Sequence, residues 1–282
     1  GVVELRGSDR LLVLHNLLTN EMKSLQPGQA RRAFLLNQKG RIVADMVVLH
    51  EAHRTVLVLD VFQAAQVAAY SVLDYFGGPG VQGAGEKADV AADQYLDLAF
   101  WEELYADVDP ASITAKGVII EGLKGSFYSN ERVNGFMDVM DKFPNVEVVE
   151  VQPGDWNREA GATAAEDFLA KYNDIDFIWA ASNEMGLGAV NVAERVGRLD
   201  DAGKAGPTEG KVAVFTNDST PESTDVIRAG KLIAEVTHGF PDWGWLGTEV
   251  GVRLACGLEV DTKVDIRPRV VWQDDADLFY PN

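Results

Sequence analysis

The chain has 282 residues, of which 46% are hydrophobic and 24% charged, as in ordinary globular proteins of one large or two modest domains. Its formal net charge of −19 argues against sequence-independent nucleic-acid binding, which requires a basic face. Cys256 is the only cysteine, which excludes an intramolecular disulfide and a cysteine-based zinc site.

The two ends of the chain differ in charge. Residues 1–70 hold eight of the 25 Lys and Arg residues but only six of the 44 Asp and Glu residues, which suggests segments of different origin. The sequence has no apolar run of about eighteen residues, so we expect no membrane-spanning helix. The opening GVVELRGSDR lacks a basic stretch followed by an apolar core, so we expect no signal peptide in this chain.

The first segment is predicted to be a small α+β unit. VVELRG alternates like a strand, and SDRLLVLHNLLTNEMKSL has helical spacing after a capping Ser8 or Asp9. RRAFLLN, RIVADMVVLH and RTVLVLDV are predicted strands, and FQAAQVAAYSVLDYF is a predicted helix. GGPGVQGAG at 77–85 then breaks the pattern as a flexible loop, since no phosphate-binding GK[ST] follows it.

After this break, predicted strands and helices alternate to the end of the chain, beginning with a helix over EKADVAADQYLDLAFWEELY. Such alternation predicts βαβ units and a parallel sheet with helices on both faces. Ligands bind beyond the carboxyl ends of such strands. The loops predicted there are GSFYSN (125–130), QPGDWNR (152–158), ASNE (181–184), TNDST (216–220) and HGFPDW (238–243).

These loops combine amides, carboxylates, Arg and His with Trp and Phe. Such polar groups hydrogen-bond hydroxyls, and aromatic rings pack on the apolar faces of sugars. The alternative for any single residue is a turn former or helix cap, because Ser, Thr, Asn and Asp are common there regardless of function. Five such loops at one sheet edge nevertheless favour a binding site for a sugar-like ligand.

Three stretches in this region resemble the type I periplasmic solute-binding proteins, the sugar and autoinducer receptors of ABC transporters: IIEGLKGSFYSNERVNGF, DIDFIWAASNEMGLGAV and VFTNDSTPESTDVIRAGKLIAEV. The resemblance covers about residues 73–282. It implies an α/β periplasmic-binding-protein-like fold, in which two lobes of parallel sheet close on a small molecule. It also implies a non-enzymatic receptor without a cofactor, whose partners are the ligand and an ABC-transporter permease or a sensor kinase.

Carried over position by position, the resemblance implies a set of ligand-binding residues: Asn130, Trp156, Arg158, Asn183, Glu184, Asn217, Asp218 and His238. Glu184 departs by one methylene from the aspartate usual in the family's Asn-Asp or Thr-Asp pair. Trp243 is a further stacking candidate, and Arg132 is expected to be structural. The sequence contains no recognisable catalytic triad, and its histidines are too scattered to suggest a metal site.

The opening of this family's first lobe is absent from the resemblance. We therefore expect a complete C-terminal lobe, at about 115–238 and 262–282, and only a remnant of the N-terminal lobe, at about 73–112 and 240–258. Residues 1–72 are expected to form a separate unit. The location implied is periplasmic, with no signal peptide in this chain, or cytoplasmic if the first segment is native.

Residues 1–70 resemble a different family, the folate-binding aminomethyltransferases and their iron–sulfur-assembly relatives. LHNLLTNEMKSLQPGQARRAFLLNQKGRIVADMVVL carries this resemblance. The transferases have Gly-Gly-x-x-Asp-Asp, where this chain has Gly40, Arg41, Ala44 and Asp45, so one acid of the pair is missing. Two alternatives to the receptor therefore stay open: a folate-binding aminomethyltransferase-like or iron–sulfur-assembly-related protein, and a fusion with no competent site.

Overall fold

The computed structural model describes residues 2–36, 42–59, 63–90, 96–238, 240–260 and 268–279. The chain divides into two compact units, residues 1–61 and 62–282. The predicted boundary at residue 72 lies eleven residues too late, because the helix Gln63–Tyr75 is buried along nearly its whole length in the core of the second unit.

The first unit is a four-stranded antiparallel sheet with one short helix. Its strands are β1 (Val2–Leu5), β2 (Ala30–Leu36), β3 (Ile42–His50) and β4 (Thr55–Leu59), in the order β1-β4-β3-β2. Helix α1 (Arg10–Leu17) is shorter than predicted. Among the side chains that the structure describes in this unit, the buried core residues are Leu14, Met22, Leu25, Ala33 and Val48.

Arg10 forms hydrogen bonds with three different segments of this unit. Its guanidinium donates to Thr55 Oγ1 and to the carbonyl oxygens of Gly7, Glu51 and Ala52. The aminomethyltransferase-like positions, Gly40, Arg41 and the side chains of Ala44 and Asp45, lie outside the described part of the chain.

The second unit contains a six-stranded sheet, ordered β10-β9-β8-β7-β5-β6. Its strands are β5 (Ala115–Glu121), β6 (Val146–Pro153), β7 (Phe177–Ala180), β8 (Ala213–Asp218), β9 (Ala234–Thr237) and β10 (Arg269–Val271). Strands β5 to β9 are parallel, as predicted, and β10 pairs antiparallel with β9. The α/β class expected from the alternation of strands and helices is confirmed.

Helices cover this sheet, and their bounds are α2 (Gln63–Tyr75), α3 (Leu98–Leu104), α4 (Phe127–Met140), α5 (Arg158–Lys171), α6 (Asn183–Arg195), α7 (Pro221–Arg228), α8 (Phe240–Ala255) and α9 (Ala276–Phe279). Helix α2 packs on α4, and α5 packs on α6. The core is aromatic, with Phe136 and Trp179 stacked at 4.1 Å between ring centroids. Within the described segments, no helix is long and apolar enough to cross a membrane.

One prediction for the region before β5 differs from the structure. The described residues 86–90 are not helical, and α3 begins only at Leu98. About residues 73–112 were expected to be a remnant of an N-terminal lobe. Within this range, the rings of Trp101 and Tyr105 are buried in the main core of the second unit.

The glycine-rich stretch 77–85 is a loop, as predicted, and a buried ion pair anchors it. Asp74 accepts hydrogen bonds from the backbone N–H groups of Val81 and Gln82. Lys87 Nζ lies 2.8 Å from Asp74 Oδ1 and also donates to the carbonyl of Gly78. Burial raises the pKa of Asp74, while Lys87 opposes that rise. The loop is therefore bound to the end of α2 at several points.

Candidate functional site

The order of the strands marks one edge of the sheet as the place for a ligand. From β5 the chain moves outward to β6, whereas from β7 it continues the other way through β8 and β9. Such a reversal opens a crevice between the loops at the carboxyl ends of parallel strands. The five loops that the sequence singles out follow β5 to β9 at this edge.

Asp218, at the end of β8, is the centre of a charged cluster. Its Oδ1 lies 2.8 Å from Arg132 Nη2 and 3.3 Å from His238 Nε2. All three side chains are mostly buried, with 16% of Arg132 and 17% of Asp218 exposed. Burial raises the pKa of Asp218, but hydrogen bonding to His238 and the charge of Arg132 outweigh burial and lower it. The carboxyl group is therefore ionised at neutral pH.

The backbone at Asp218 is held in an unusual conformation. Asp218 and Ser219 have φ values of 107° and 74°, a region that non-glycine residues rarely enter and that costs about 1–3 kcal/mol for each residue. The surroundings hold this turn, because the Ser219 N–H donates to the buried carboxylate oxygen Glu235 Oε1 at 2.8 Å. The turn directs Asp218 towards α4.

Trp156 provides an aromatic face beside this cluster. The guanidinium of Arg132 lies 5.2 Å from the Trp156 ring centroid. Gly122 also lies against the ring, where a Cβ would come within 2.0 Å of it. Asp155 and Trp156 have φ values of 51° and 58°, so two strained residues place the indole here. Gly122 is required because any side chain there would displace the ring.

Buried polar atoms at the ends of β7 and β8 that have no hydrogen-bond partner within the described segments include Ser182 Oγ, Asn217 Nδ2 and Ser219 Oγ. An unpaired buried polar group costs about 1–3 kcal/mol. A ligand that supplied hydroxyl groups would remove that cost. Asn217 also accepts a hydrogen bond from Trp179 Nε1 through its Oδ1, which fixes the orientation of its amide.

Arg158 and Glu184 belong to a separate cluster at the starts of α5, α6 and α7. Arg158 makes paired hydrogen bonds to Glu184 at 2.9 and 3.0 Å and to Glu222 at 2.7 and 2.8 Å. The hydrogen bonds that Arg158 donates to Glu222 and Glu184 raise its pKa. Its guanidinium thus makes four hydrogen bonds to two protein carboxylates.

The structure therefore brings together only part of the predicted set. Trp156, Asp218 and His238 meet around Arg132, which the sequence indicated as structural. Asn183 Nδ2 donates a hydrogen bond to Thr220 Oγ1. Asn217 is fully buried below the carboxyl edge of the sheet, and Asn130 is exposed on the first turn of α4. The side chain of Trp243 lies outside the described part of the chain.

Sequence reasoning missed Ser182, Ser219 and Glu235, and it undervalued Arg132. A signal for Arg132 was present in its position in the second turn of a helix that follows a strand at this edge. Throughout the described ranges, no group of three His, Cys, Asp or Glu side chains has an arrangement that could hold a metal ion.

A parallel α/β domain whose charged, aromatic and unpaired polar groups meet at the carboxyl edge of its strands is the architecture of a small-molecule-binding protein. Residues 55–259 match the family described as periplasmic binding protein domain. Because this match covers well over half of the chain, the chain belongs to that family.

Curated relatives include the ribose import binding protein of Haemophilus influenzae, 26% identical over 157 residues, and the D-allose-binding periplasmic protein of Escherichia coli, 29% identical over 177 residues. The alignments cover 56% and 57% of this chain and 49% and 52% of the relatives. The chain thus spans about half the length of the curated relatives it matches.

Solved structures share the fold. An ABC transporter periplasmic solute binding protein from Actinobacillus succinogenes with bound D-allose superposes with a TM-score of 0.56 at 17% identity, over 78% of this chain and 62% of that chain. A solute binding protein from Bacillus halodurans with bound myo-inositol gives a TM-score of 0.54 at 21% identity, over 78% and 61%. At these identities the similarity establishes the fold alone.

Proposed function

We propose that the protein is a solute-binding receptor of an ABC transporter or sensor, and that it binds a sugar or sugar-like polyol at the cluster of Arg132, Trp156, Asp218 and His238. The observation that carries the proposal is the ionised Asp218, held between the side chains of Arg132 and His238 beside an indole face. A carboxylate and a guanidinium together bind vicinal hydroxyls, and an indole packs on the apolar face of a sugar ring.

The proposal includes no catalytic step. A periplasmic location, a permease or sensor-kinase partner, and ligand contacts from Asn130, Arg158, Asn183, Glu184 and Asn217 belong to the same proposal. The relatives are named for binding ribose and D-allose, which supports aldoses as the first ligands to test. In receptors that close on the ligand, both lobes contribute contacts, so a chain with one lobe would bind weakly.

Isothermal titration calorimetry of the full chain tests the proposal against ribose, allose, other aldoses and myo-inositol. We expect saturable heat with at least one of them, in the micromolar to millimolar range. A folded sample that gives no heat with any sugar or polyol would contradict the proposal.

Removing the indole of Trp156 should weaken binding without unfolding the protein. For Trp156→Ala we expect a loss of about 2 kcal/mol, or roughly 30-fold in affinity, since the ring supplies apolar contact area to the ligand. Trp245→Ala is the matched control, because Trp245 on α8 is 75% exposed. Equal affinity of the two variants by calorimetry would remove Trp156 from the site.

The resemblance of residues 1–70 to the aminomethyltransferases stays a separate proposal. A ligand that binds the native state raises the melting temperature, so tetrahydrofolate at saturating concentration should raise it if the first unit has a folate site. If tetrahydrofolate did not change the melting temperature while a sugar gave a clear binding response, the receptor would remain as the function.

A further inference from the structure

Glu235 is a fully buried carboxyl group under the candidate site. It lies on β9 with 0% of its surface exposed. Its Oε1 accepts from the Ser219 N–H at 2.8 Å, and its Oε2 lies 2.6 Å from Ser223 Oγ. Both partners are neutral. A buried carboxylate with neutral partners is strongly disfavoured, so such a group tends to keep its proton.

The two contacts of Glu235 hold the turn that carries Asp218. Ser219 is the second of the two residues with positive φ, and its N–H donates a hydrogen bond to Glu235. Ser223 holds the next step of the same turn, because its Oγ accepts from the Thr220 N–H at 2.9 Å. Both sides of the strained backbone are therefore attached to one carboxyl group.

The protonation state of Glu235 decides whether this network is satisfied. The Ser223 hydroxyl has one proton, and its Oγ lies within hydrogen-bonding distance of both Glu235 Oε2, at 2.6 Å, and the Thr220 carbonyl oxygen, at 3.1 Å. A neutral Glu235 could donate its own proton to Ser223 Oγ and leave the Ser223 proton for Thr220, whereas an ionised carboxylate has no proton to give. The Ser223 proton would then turn to Glu235, and the Thr220 carbonyl would keep only the hydrogen bonds from the N–H and Oγ1 of Thr224.

Burial raises the pKa of Glu235 to about 8, against the opposing effect of the Ser223 and Ser219 hydrogen bonds, and the charge of Asp218 adds to the rise. Other charged groups lie on the elements packed around it. They are His238 after β9, Glu222, Asp225 and Arg228 on α7, Arg269 on β10, and Arg132 on α4, which pairs with Asp218.

We propose that Glu235 is a positioning residue that holds the Asp218–Ser219 turn in its binding geometry only while its carboxyl group is protonated. Ionisation would place a second negative charge beside Asp218, and the turn would have one hydrogen-bond donor fewer. The turn would then relax, and Asp218 would leave its position against Arg132 and His238. Where it concerns ligand affinity, this inference rests on the proposed sugar-binding function.

The direct test follows the backbone amide of Ser219 by ¹H–¹⁵N NMR between pH 6 and 9.5, without ligand. In the wild type we expect its resonance to titrate with a midpoint near 8, as the Glu235 carboxyl loses its proton. In Glu235→Gln, whose amide accepts and donates like the neutral acid, the Ser219 resonance should stay constant. Asp225→Asn changes an acid on α7, the helix that carries Ser223, and the Ser219 resonance of this variant should titrate as in the wild type.

The second readout is ligand affinity over the same pH range. If only the protonated form binds, wild-type affinity should fall by about tenfold or more between pH 7 and pH 9.5, and Glu235→Gln should lose less than about twofold. A flat Ser219 titration in the wild type would overturn the inference, even if the variant failed to fold. A Ser219 titration that Glu235→Gln abolishes, with no sugar bound at any pH, would overturn the proposed ligand and support the positioning role.

Stability provides a further check with a defined sign. The unfolded chain loses the Glu235 proton near pH 4.5, whereas the folded chain keeps it to about 8. The proton held by the folded state therefore stabilises it fully below pH 4.5, and that stabilisation is lost as the pH rises to 8. Urea denaturation should show a shallower decline across this range for Glu235→Gln. Equal slopes would contradict the inference.

Discussion

Asp218→Asn is expected to lower the affinity for a sugar-like ligand by about 100-fold, which corresponds to about 2.8 kcal/mol. Hydrogen bonds to charged groups contribute about 1.5–3 kcal/mol each. The variant also leaves the guanidinium of Arg132 facing a neutral amide in a mostly buried site, where removing the partner of a cation is costly. Asparagine is the right replacement, because it tolerates positive φ better than alanine does.

Asp138→Asn is the matched control for this experiment. Asp138 is exposed on α4, the helix that carries Arg132, so this change removes the same charge outside the cluster. Calorimetry should give it wild-type affinity. If Asp218→Asn bound a responsive sugar as tightly as the wild type, the ligand would have to lie elsewhere in the molecule.

The architecture of the second unit could be predicted from its sequence because buried parallel strands have a strong pattern. KGVIIEGL and IDFIWAAS each have an apolar centre, VII and FIWAA, and the helices between strands have apolar residues at helical spacing. The strands predicted in the first segment are also present, as β1 to β4.

The unit boundary was harder, because periodicity reports the shape of an element and not its neighbours. The apolar helix α2 follows β4 closely in sequence, which made it appear to belong to the first segment. Only packing shows that Tyr75 and the rest of α2 lie against the large sheet. Likewise, nothing local in the sequence indicates that Lys87 forms an ion pair with Asp74, thirteen residues earlier.

The candidate site was likewise only partly predictable from the sequence. Strand-end loops are visible in a sequence, and they contributed Trp156, Asp218 and His238. The partner of each polar side chain is set by tertiary structure. Arg132 and Arg158 each follow a strand-end loop, yet one meets Asp218 and the other is paired with Glu184 and Glu222. Glu235, a carboxyl in a strand core, is invisible to motif reasoning because its importance comes from burial.

The close approach of α5 and α6 leads to the prediction with the largest effect on stability. A Cβ at Gly188 would lie 2.3 Å from the carbonyl oxygen of Arg158 and 2.8 Å from the backbone nitrogen of Ala162. These are backbone atoms, so no side chain can rotate away and α5 must move as a body. Overpacking of this kind costs about 1–3 kcal/mol or more, and we expect Gly188→Ala to lower the free energy of unfolding by about 3 kcal/mol.

The same substitution at Gly251 should act in the opposite direction. Gly251 lies in α8, where a Cβ would meet nothing within 4 Å, so alanine gains helix propensity of up to about 1 kcal/mol. Urea unfolding of the two variants therefore separates steric overlap from propensity. Because α5 also begins directly after the Trp156 loop, Gly188→Ala should weaken sugar binding as well. Equal stability of the Gly188 and Gly251 variants would mean that α5 and α6 are not in close backbone contact.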